Sequence, residues 1–390
     1  MNKITKFSAF AILMVPMVWN FEAATVGPAL GSLMQAFPNE PALKIQLIST
    51  LPFLASVIFS VISGKLANFF DKKNIAVIGL LIYGITGITP AFVNSVNTIL
   101  ILRLLTGVGV GLVLPLPNQI IVEHYEGRER ERMLGLATST FNFANVVISI
   151  LVGILLVRGW QMAFYSFSFI FVVLLIVAIG LPKSPPIKTD ERNNEVREKV
   201  KLPKYVYAMA LAMTLVWIAF GGFQLTISMF VTKERLAPIY MMGIFLAAPA
   251  FGSILTGIIF SKLNNWLKQY YVFSAMLCYA AGFICMYLSQ EATLIIIGTL
   301  LIGIGSGAMV PYISNLTAIH VNEKQKDLAF GIVTACIHLG GLVSAFILSF
   351  IMQLGHATSY RFIYITYAIA LILVGVVSLI INTKKRKVSA

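Results

Sequence analysis

Residues 97–121 read NTILILRLLTGVGVGLVLPLPNQII, a run in which Arg103 is the single charge. About 20 apolar residues in helical conformation span the hydrocarbon core of a bilayer. A helix that is apolar on every face belongs in a large core or a membrane. Gly107, Gly109 and Gly111 follow no strand and open no soluble βαβ unit, which excludes a dinucleotide fingerprint. Inside an apolar span, such small residues let helix backbones approach closely.

Runs of the same kind recur on both sides. They cover about 7–34, 43–66, 74–94, 97–121, 133–157 and 161–181, then 205–231, 238–261, 270–289, 292–319, 328–354 and 360–381. Hydrophobic residues make up 58% of the chain and charged ones 11%, against roughly a quarter charged in soluble proteins. The expectation is an all-α integral membrane protein of twelve transmembrane helices.

The net charge of +14 raises nucleic acid as a partner, and the placement of the bases excludes it. Of the 29 lysines and arginines, 23 fall at the two termini and in the even-numbered loops, and 5 on the opposite side. That bias puts both termini in the cytoplasm of a multi-pass inner (plasma) membrane protein. The apolar run after Lys6 is too long for a signal peptide, and no cleavage site follows it. Cys278, Cys285 and Cys336 lie in expected spans, so neither a disulfide framework nor a metal site is indicated, and no cofactor is expected.

Residues 182–204, PKSPPIKTDERNNEVREKVKLPK, form the longest polar stretch. They read as a cytoplasmic linker between an N-terminal bundle, 1–181, and a C-terminal bundle with a short basic tail, 205–390. The halves also resemble each other. A shift of 196 lays Gly107, Gly109, Gly111, Pro115, His124 and Gly135 on Gly303, Gly305, Gly307, Pro311, His320 and Gly331. A shift of 197 lays Lys65, Leu66 and Asn68 on Lys262, Leu263 and Asn265. Equivalent segments cross in the same direction, so two six-helix bundles are related by a parallel repeat, an arrangement that rocks about a midplane site.

Gly64-Lys65-Leu66-Ala67-Asn68-Phe69-Phe70-Asp71-Lys72-Lys73, the stretch Arg103 to Gly111, and the two-half layout together resemble the major facilitator superfamily. The resemblance covers essentially the whole chain. It implies a secondary active transporter working by alternating access, most like the twelve-span, proton-coupled exporters of drugs and metabolites. In that family the loop after span two latches the cytoplasmic gate. Gly64, Lys65, Asn68, Asp71, Lys72, Lys73, Gly107 and Gly111 are therefore the expected gate residues. The usual acid is replaced by Asn68 and its basic neighbour by Phe69, which implies a softer latch or one moved to Asp71, since charge-assisted bonds are roughly twice as strong as neutral ones. The Gly-Pro common in span five of the family's antiporters is missing from Asn145–Gly153, which keeps an uptake symporter or uniporter as the alternative.

Glu22 is the one acid well inside a span and Arg103 the one base, and charge in hydrocarbon marks function by default. At 1.5 Å per residue, Glu22 lies roughly 22 Å above the cytoplasmic start of span one, and Arg103 roughly 8 Å below the outer start of span four. Those depths nearly coincide. The two are expected to form an ion pair that couples transport to protons, or else one that orders the first bundle. Trp19, Asn20, Asn118, Asn142, Asn145, Trp217, Gln224, Tyr312, Asn315 and His338 are candidates for the substrate cavity, with Phe21, Phe220 and Phe223 extending an aromatic wall. His338 is the second candidate for proton exchange. No nucleophile elbow or nucleotide loop is present, so neither an enzyme nor an ATP-driven pump is expected. The expected partners are a small molecule, protons and membrane lipid, with the chain acting as a monomer.

The topology has a direct check. Thr189→Cys, in the linker, is expected to escape an impermeant thiol reagent in intact cells and to react once the membrane is broken. Labelling in intact cells reverses the orientation.

Overall fold

The computed structural model describes residues 5–183, 202–319, 321, 323–354 and 359–389. Most of the expected linker, 184–201, and His320 lie outside the described residues. So do the side chains of Trp19, Asn20 and Asn142.

The described chain is helical throughout, joined by short turns. The first part holds α1 (Lys6–Ala36), α2 (Ala42–Leu66), α3 (Lys72–Ile88), α4 (Val96–Val113), α5 (Leu116–His124), α6 (Gly127–Leu155), α7 (Gln161–Tyr165) and α8 (Phe169–Gly180). The second holds α9 (Lys204–Glu234), α10 (Met242–Leu267), α11 (Tyr271–Leu288), α12 (Ala292–Ile319), α13 (Glu323–Leu354) and α14 (Arg361–Ser389). These fall into two compact units, Met1–Lys199 and Val200–Ala390. Ten helical segments among the described residues are long and apolar enough to cross a membrane. The first and fifth expected spans contribute shorter apolar stretches, Lys6–Val18 and Phe143–Arg158.

Local chemistry sets the ends. Thr5 caps α1 by accepting from the Ser8 amide at 3.0 Å, and Asp71 caps α3 by accepting from the Lys73 amide at 2.9 Å. Such caps satisfy donors that a helix start leaves orphaned. The expected fourth span is broken between α4 and α5 at Pro115, where proline removes an amide from the helical ladder. The turn from α5 into α6 runs through Gly127 at φ 52°, a left-handed conformation that glycine adopts without strain.

Within the first unit α4 packs between α2 and α3. Gly107 and Gly111 face the backbone of Pro52 and Ser56 on α2, while Gly109 faces α3. A Cβ on Gly109 would lie 2.7 Å from the Gly79 carbonyl oxygen and 2.7 Å from the Tyr83 nitrogen. The second unit repeats the scheme, with α12 between α10 and α11. Gly303 and Gly307 meet Pro249 and Ser253, and Gly305 meets Tyr279, with 2.6 Å from its would-be Cβ to the Tyr279 nitrogen. The parallel extends to hydrogen bonds. Tyr83 Oη donates to the Val18 carbonyl at 3.1 Å, and Tyr279 Oη donates to the Val216 carbonyl at 3.3 Å.

Hydroxyls tie neighbouring helices as well, Ser63 to the Leu112 carbonyl at 2.6 Å and Ser253 to the Gly303 carbonyl at 3.0 Å. In lipid, close backbone packing and such bonds replace the hydrophobic drive that holds soluble helices together.

Added volume at these contacts should be costly. Gly109→Val and Gly305→Val are each expected to destabilise by about 1–3 kcal/mol through overpacking, read as a lower melting temperature of the purified protein. Gly135→Ala serves as the control, because its Cβ would enter open space.

Candidate functional site

Glu22, in the middle of α1, is 2% exposed and Arg103, on α4, is 0% exposed. Arg103 Nη2 donates to Glu22 Oε2. The arginine reaches this partner through an aromatic shell. Its guanidinium carbon lies 5.2 Å from the centroid of Phe167 and 5.8 Å from that of Phe164, where the negative faces of the rings attract the cation. Phe167 in turn meets Tyr83 edge-on at 5.5 Å and Phe21 at 5.3 Å. The shell excludes water, so the desolvation cost of both charges is carried by their mutual attraction and these rings.

The pair is incompletely satisfied. Glu22 Oε1 and Arg103 Nε and Nη1 are buried with no hydrogen-bond partner among the described residues. A partly satisfied network in a low dielectric is costly. Chemically it leaves one carboxylate oxygen open to a proton and two guanidinium donors open to another acceptor. The second unit lacks the charges, since Phe220 stands at the position of Glu22 (shift 198) and Thr299 at that of Arg103 (shift 196).

Among the described residues two further ion pairs join the ends of different helices, beside the local pair of Lys44 with Glu40 at the start of α2. Lys72, the first residue of α3 and 3% exposed, pairs with Glu123 near the end of α5. The loop after α2 therefore turns one lysine inward, while Lys65 and Asn68 are exposed and Gly64 has open space beside it. In the second unit Arg361 donates to Glu234 from Nη2 at 2.7 Å and Nε at 2.9 Å. It also donates to the Tyr287 carbonyl and, at 2.6 Å, to the Ser289 carbonyl. One guanidinium thus ties the ends of α9, α11 and α14. Sequence reasoning missed both pairs, because charges at span ends read as solvated topology signals. It also missed the shell of Tyr83, Phe164 and Phe167, for which the need of a buried arginine for partners was the available signal.

The cavity candidates are placed less tightly. Asn118 on α5 and Asn315 on α12 are exposed, Asn145, Trp217, Gln224 and Tyr312 are half-buried, and His338 is buried. Asn145 Oδ1 accepts from Ser149 at 3.5 Å, Trp217 meets Phe220 at 5.2 Å, and Tyr312 stacks on Tyr271 at 5.0 Å. Phe21 and Phe223, expected in an aromatic wall, are instead packed in the interiors of their own units. Gly107 and Gly111 lie at the α2–α4 contact. Among the described residues no group of three His, Cys, Asp or Glu is placed to hold a metal ion.

The profile of the Major Facilitator Superfamily matches residues 9–321 and 239–390, and the chain belongs to that family of membrane transporters. Among curated relatives, the niacin transporter NiaP of Acinetobacter baylyi is 25% identical over 51% of this chain and 46% of its own length. The multidrug transporter protein MdtP of Bacillus subtilis is 24% identical over 34% of this chain and 23% of its own. The chain thus spans about half or less of these two proteins. A bacterial homologue of the human lysosomal transporter Spinster, solved in an inward-facing and occupied conformation, superposes with a TM-score of 0.72 at 16% identity, covering 96% of this chain and 94% of that one. This likeness shows a shared fold.

A double-mutant cycle tests the buried pair. Arg103→Met is expected to cost about 3–5 kcal/mol by leaving Glu22 uncompensated, and Glu22→Gln in the same chain is expected to recover part of that loss. Additive single effects in thermal unfolding would show that the two side chains do not interact.

Proposed function

We propose that this member of the Major Facilitator Superfamily is a proton-coupled exporter of small apolar or amphipathic molecules, working by alternating access, with Glu22 as the coupling carboxylate and Arg103 as the group that tunes it. The supporting observation is the Glu22–Arg103 pair, the ion pair of the first unit buried on both sides among the described residues, with a carboxylate oxygen that has no partner among them. A carboxylate whose surroundings alternate between an arginine and water changes its affinity for a proton. Such a group lets a proton gradient favour one conformation over another. Glu22 binds a proton, Arg103 is released from it, and the reverse step restores the pair.

The substrate class follows from the candidate lining. Asn118, Asn145, Trp217, Gln224, Tyr312 and Asn315 offer amides and aromatic faces without charge, which suits molecules with modest polarity. The loop residues Gly64, Lys65, Asn68, Asp71, Lys72 and Lys73 form the gate in this reading, with Gly107 and Gly111 as the contact about which α4 moves. Both termini face the cytoplasm, and the chain acts as a monomer in the plasma membrane.

Likeness to a multidrug transporter supports export. A second reading, uptake by symport or uniport, is favoured by likeness to a niacin transporter and by the missing Gly-Pro in Asn145–Gly153.

Substrates can be found by ligand-dependent stabilisation of the purified protein, since anything that binds the folded state raises its melting temperature. Accumulation of the labelled hit in inverted vesicles but not in cells establishes export, and the opposite establishes uptake. In proteoliposomes, Glu22→Gln is expected to lose gradient-driven accumulation by about tenfold or more, in the range of a lost acid–base group, while binding and passive exchange survive. Uphill transport by Glu22→Gln equal to that of the parent would overturn the assignment and pass the role to His338.

A further inference from the structure

Among the described residues, the most exposed large hydrophobic side chain of the first unit is Phe69, at 75%, and that of the second is Trp266, at 80%. They occupy the same position of the internal repeat, 197 residues apart. Phe69 follows the end of α2, and Trp266 lies in the last turn of α10. Each has a lysine one helical turn before it, Lys65 and Lys262, both exposed, and another after it, the half-buried Lys73 four residues on and the exposed Lys268 two residues on. A further exposed ring flanks each, Phe70 and Tyr270. Asp71 is the one acid between positions 64 and 73, and it caps α3. Positions 262 to 270 contain none.

An aromatic ring left this open in water is unfavourable. Rings that end apolar spans sit at the level of lipid headgroups, where an amphipathic or aromatic body is accommodated. Lysines beside them extend their ammonium groups toward the surface, and near an anionic leaflet each lysine strengthens the attraction by about fivefold. Both loops continue directly from apolar helices, so the bilayer surface passes at their level. We infer that the α2–α3 and α10–α11 loops are matched anchors for anionic phospholipid headgroups, with Phe69 and Trp266 inserted at headgroup depth and the flanking lysines on the lipid phosphates. The inference rests on the proposed cytoplasmic orientation of these loops and shares Lys65 and Lys73 with the proposed gate, but it needs neither a given substrate nor a given coupling ion.

Quenching of tryptophan by brominated lipid measures which lipid touches the ring. The parent and Trp266→Phe are reconstituted with a fixed minority of brominated phosphatidylglycerol in phosphatidylcholine, and separately with the same fraction of the phosphatidylcholine brominated instead. The Trp266 contribution is the difference between the two proteins, and the substitution is safe for folding because the side chain is exposed. The expected result is at least about twofold stronger quenching by the anionic lipid, reduced by salt and abolished by Lys262→Gln with Lys268→Gln. Phe69→Trp in the Trp266→Phe background should report the same at the other loop. No quenching by either lipid would put the rings in water or against a soluble partner and overturn the inference. Equal quenching by both lipids would show an interfacial ring without anionic recognition and overturn it as well.

Discussion

Hydrocarbon offers no hydrogen bonds, so every backbone amide and carbonyl inside it must be satisfied by the chain itself. That constraint makes the described chain helical and then removes the force that usually packs helices, since a lipid tail is as apolar as a leucine. What remains is contact distance. Gly107, Gly109 and Gly111 let α4 lie against α2 and α3 with no side chain between the backbones, and Gly303, Gly305 and Gly307 do the same for α12. Ser63, Ser253, Tyr83 and Tyr279 add hydrogen bonds between helices.

The same environment makes Glu22 and Arg103 expensive. Replacing a buried ion pair by uncharged residues is often neutral for stability, and the second unit packs with the uncharged Phe220 and Thr299 at the equivalent positions. The two units share the glycine contacts and the tyrosine-to-backbone bonds but differ in this pair. One unit carries this pair, and the other packs without it at the equivalent positions.

Much of this was legible in the sequence. Each expected span falls on helix, because an apolar run of membrane length has few alternatives, whereas the break at Pro115 was not legible, since the equivalent Pro311 lies inside unbroken α12. The repeat was visible because glycine contacts tolerate no substitute. The pairing of Glu22 with Arg103 followed from their matching depth together with the family resemblance, which places spans one and four at the central cavity. The aromatic shell was not legible: in an all-apolar span, Phe164 and Phe167 carry no periodic signal that separates them from more exposed rings such as Phe169. Lys72–Glu123 and Glu234–Arg361 were hidden for the opposite reason, since charges at helix ends look solvated in sequence even where the fold turns them inward. The cavity candidates stayed a set of residue types, because lining depends on rotation about helix axes that apolar composition leaves undetermined.

One contact joins the charged pair to the packing scheme. Tyr83 donates to the carbonyl of Val18, one turn before Glu22, and its ring lies edge-on to Phe167, which also faces Arg103. Pro16 and Pro28 flank this part of α1, and each removes a rung from the helical ladder, so the segment carrying Glu22 lies between two interruptions of that ladder. A change at Glu22 that moved this turn would therefore be felt by α3 through Tyr83 and by α4 through Arg103, and α3 and α4 touch at Gly79 and Gly109 with no space to absorb a shift. Packed interfaces of this kind respond by switching between arrangements rather than by yielding gradually. In the second unit Tyr279 makes the corresponding bond to Val216, with the uncharged Phe220 and Thr299 at the positions of Glu22 and Arg103.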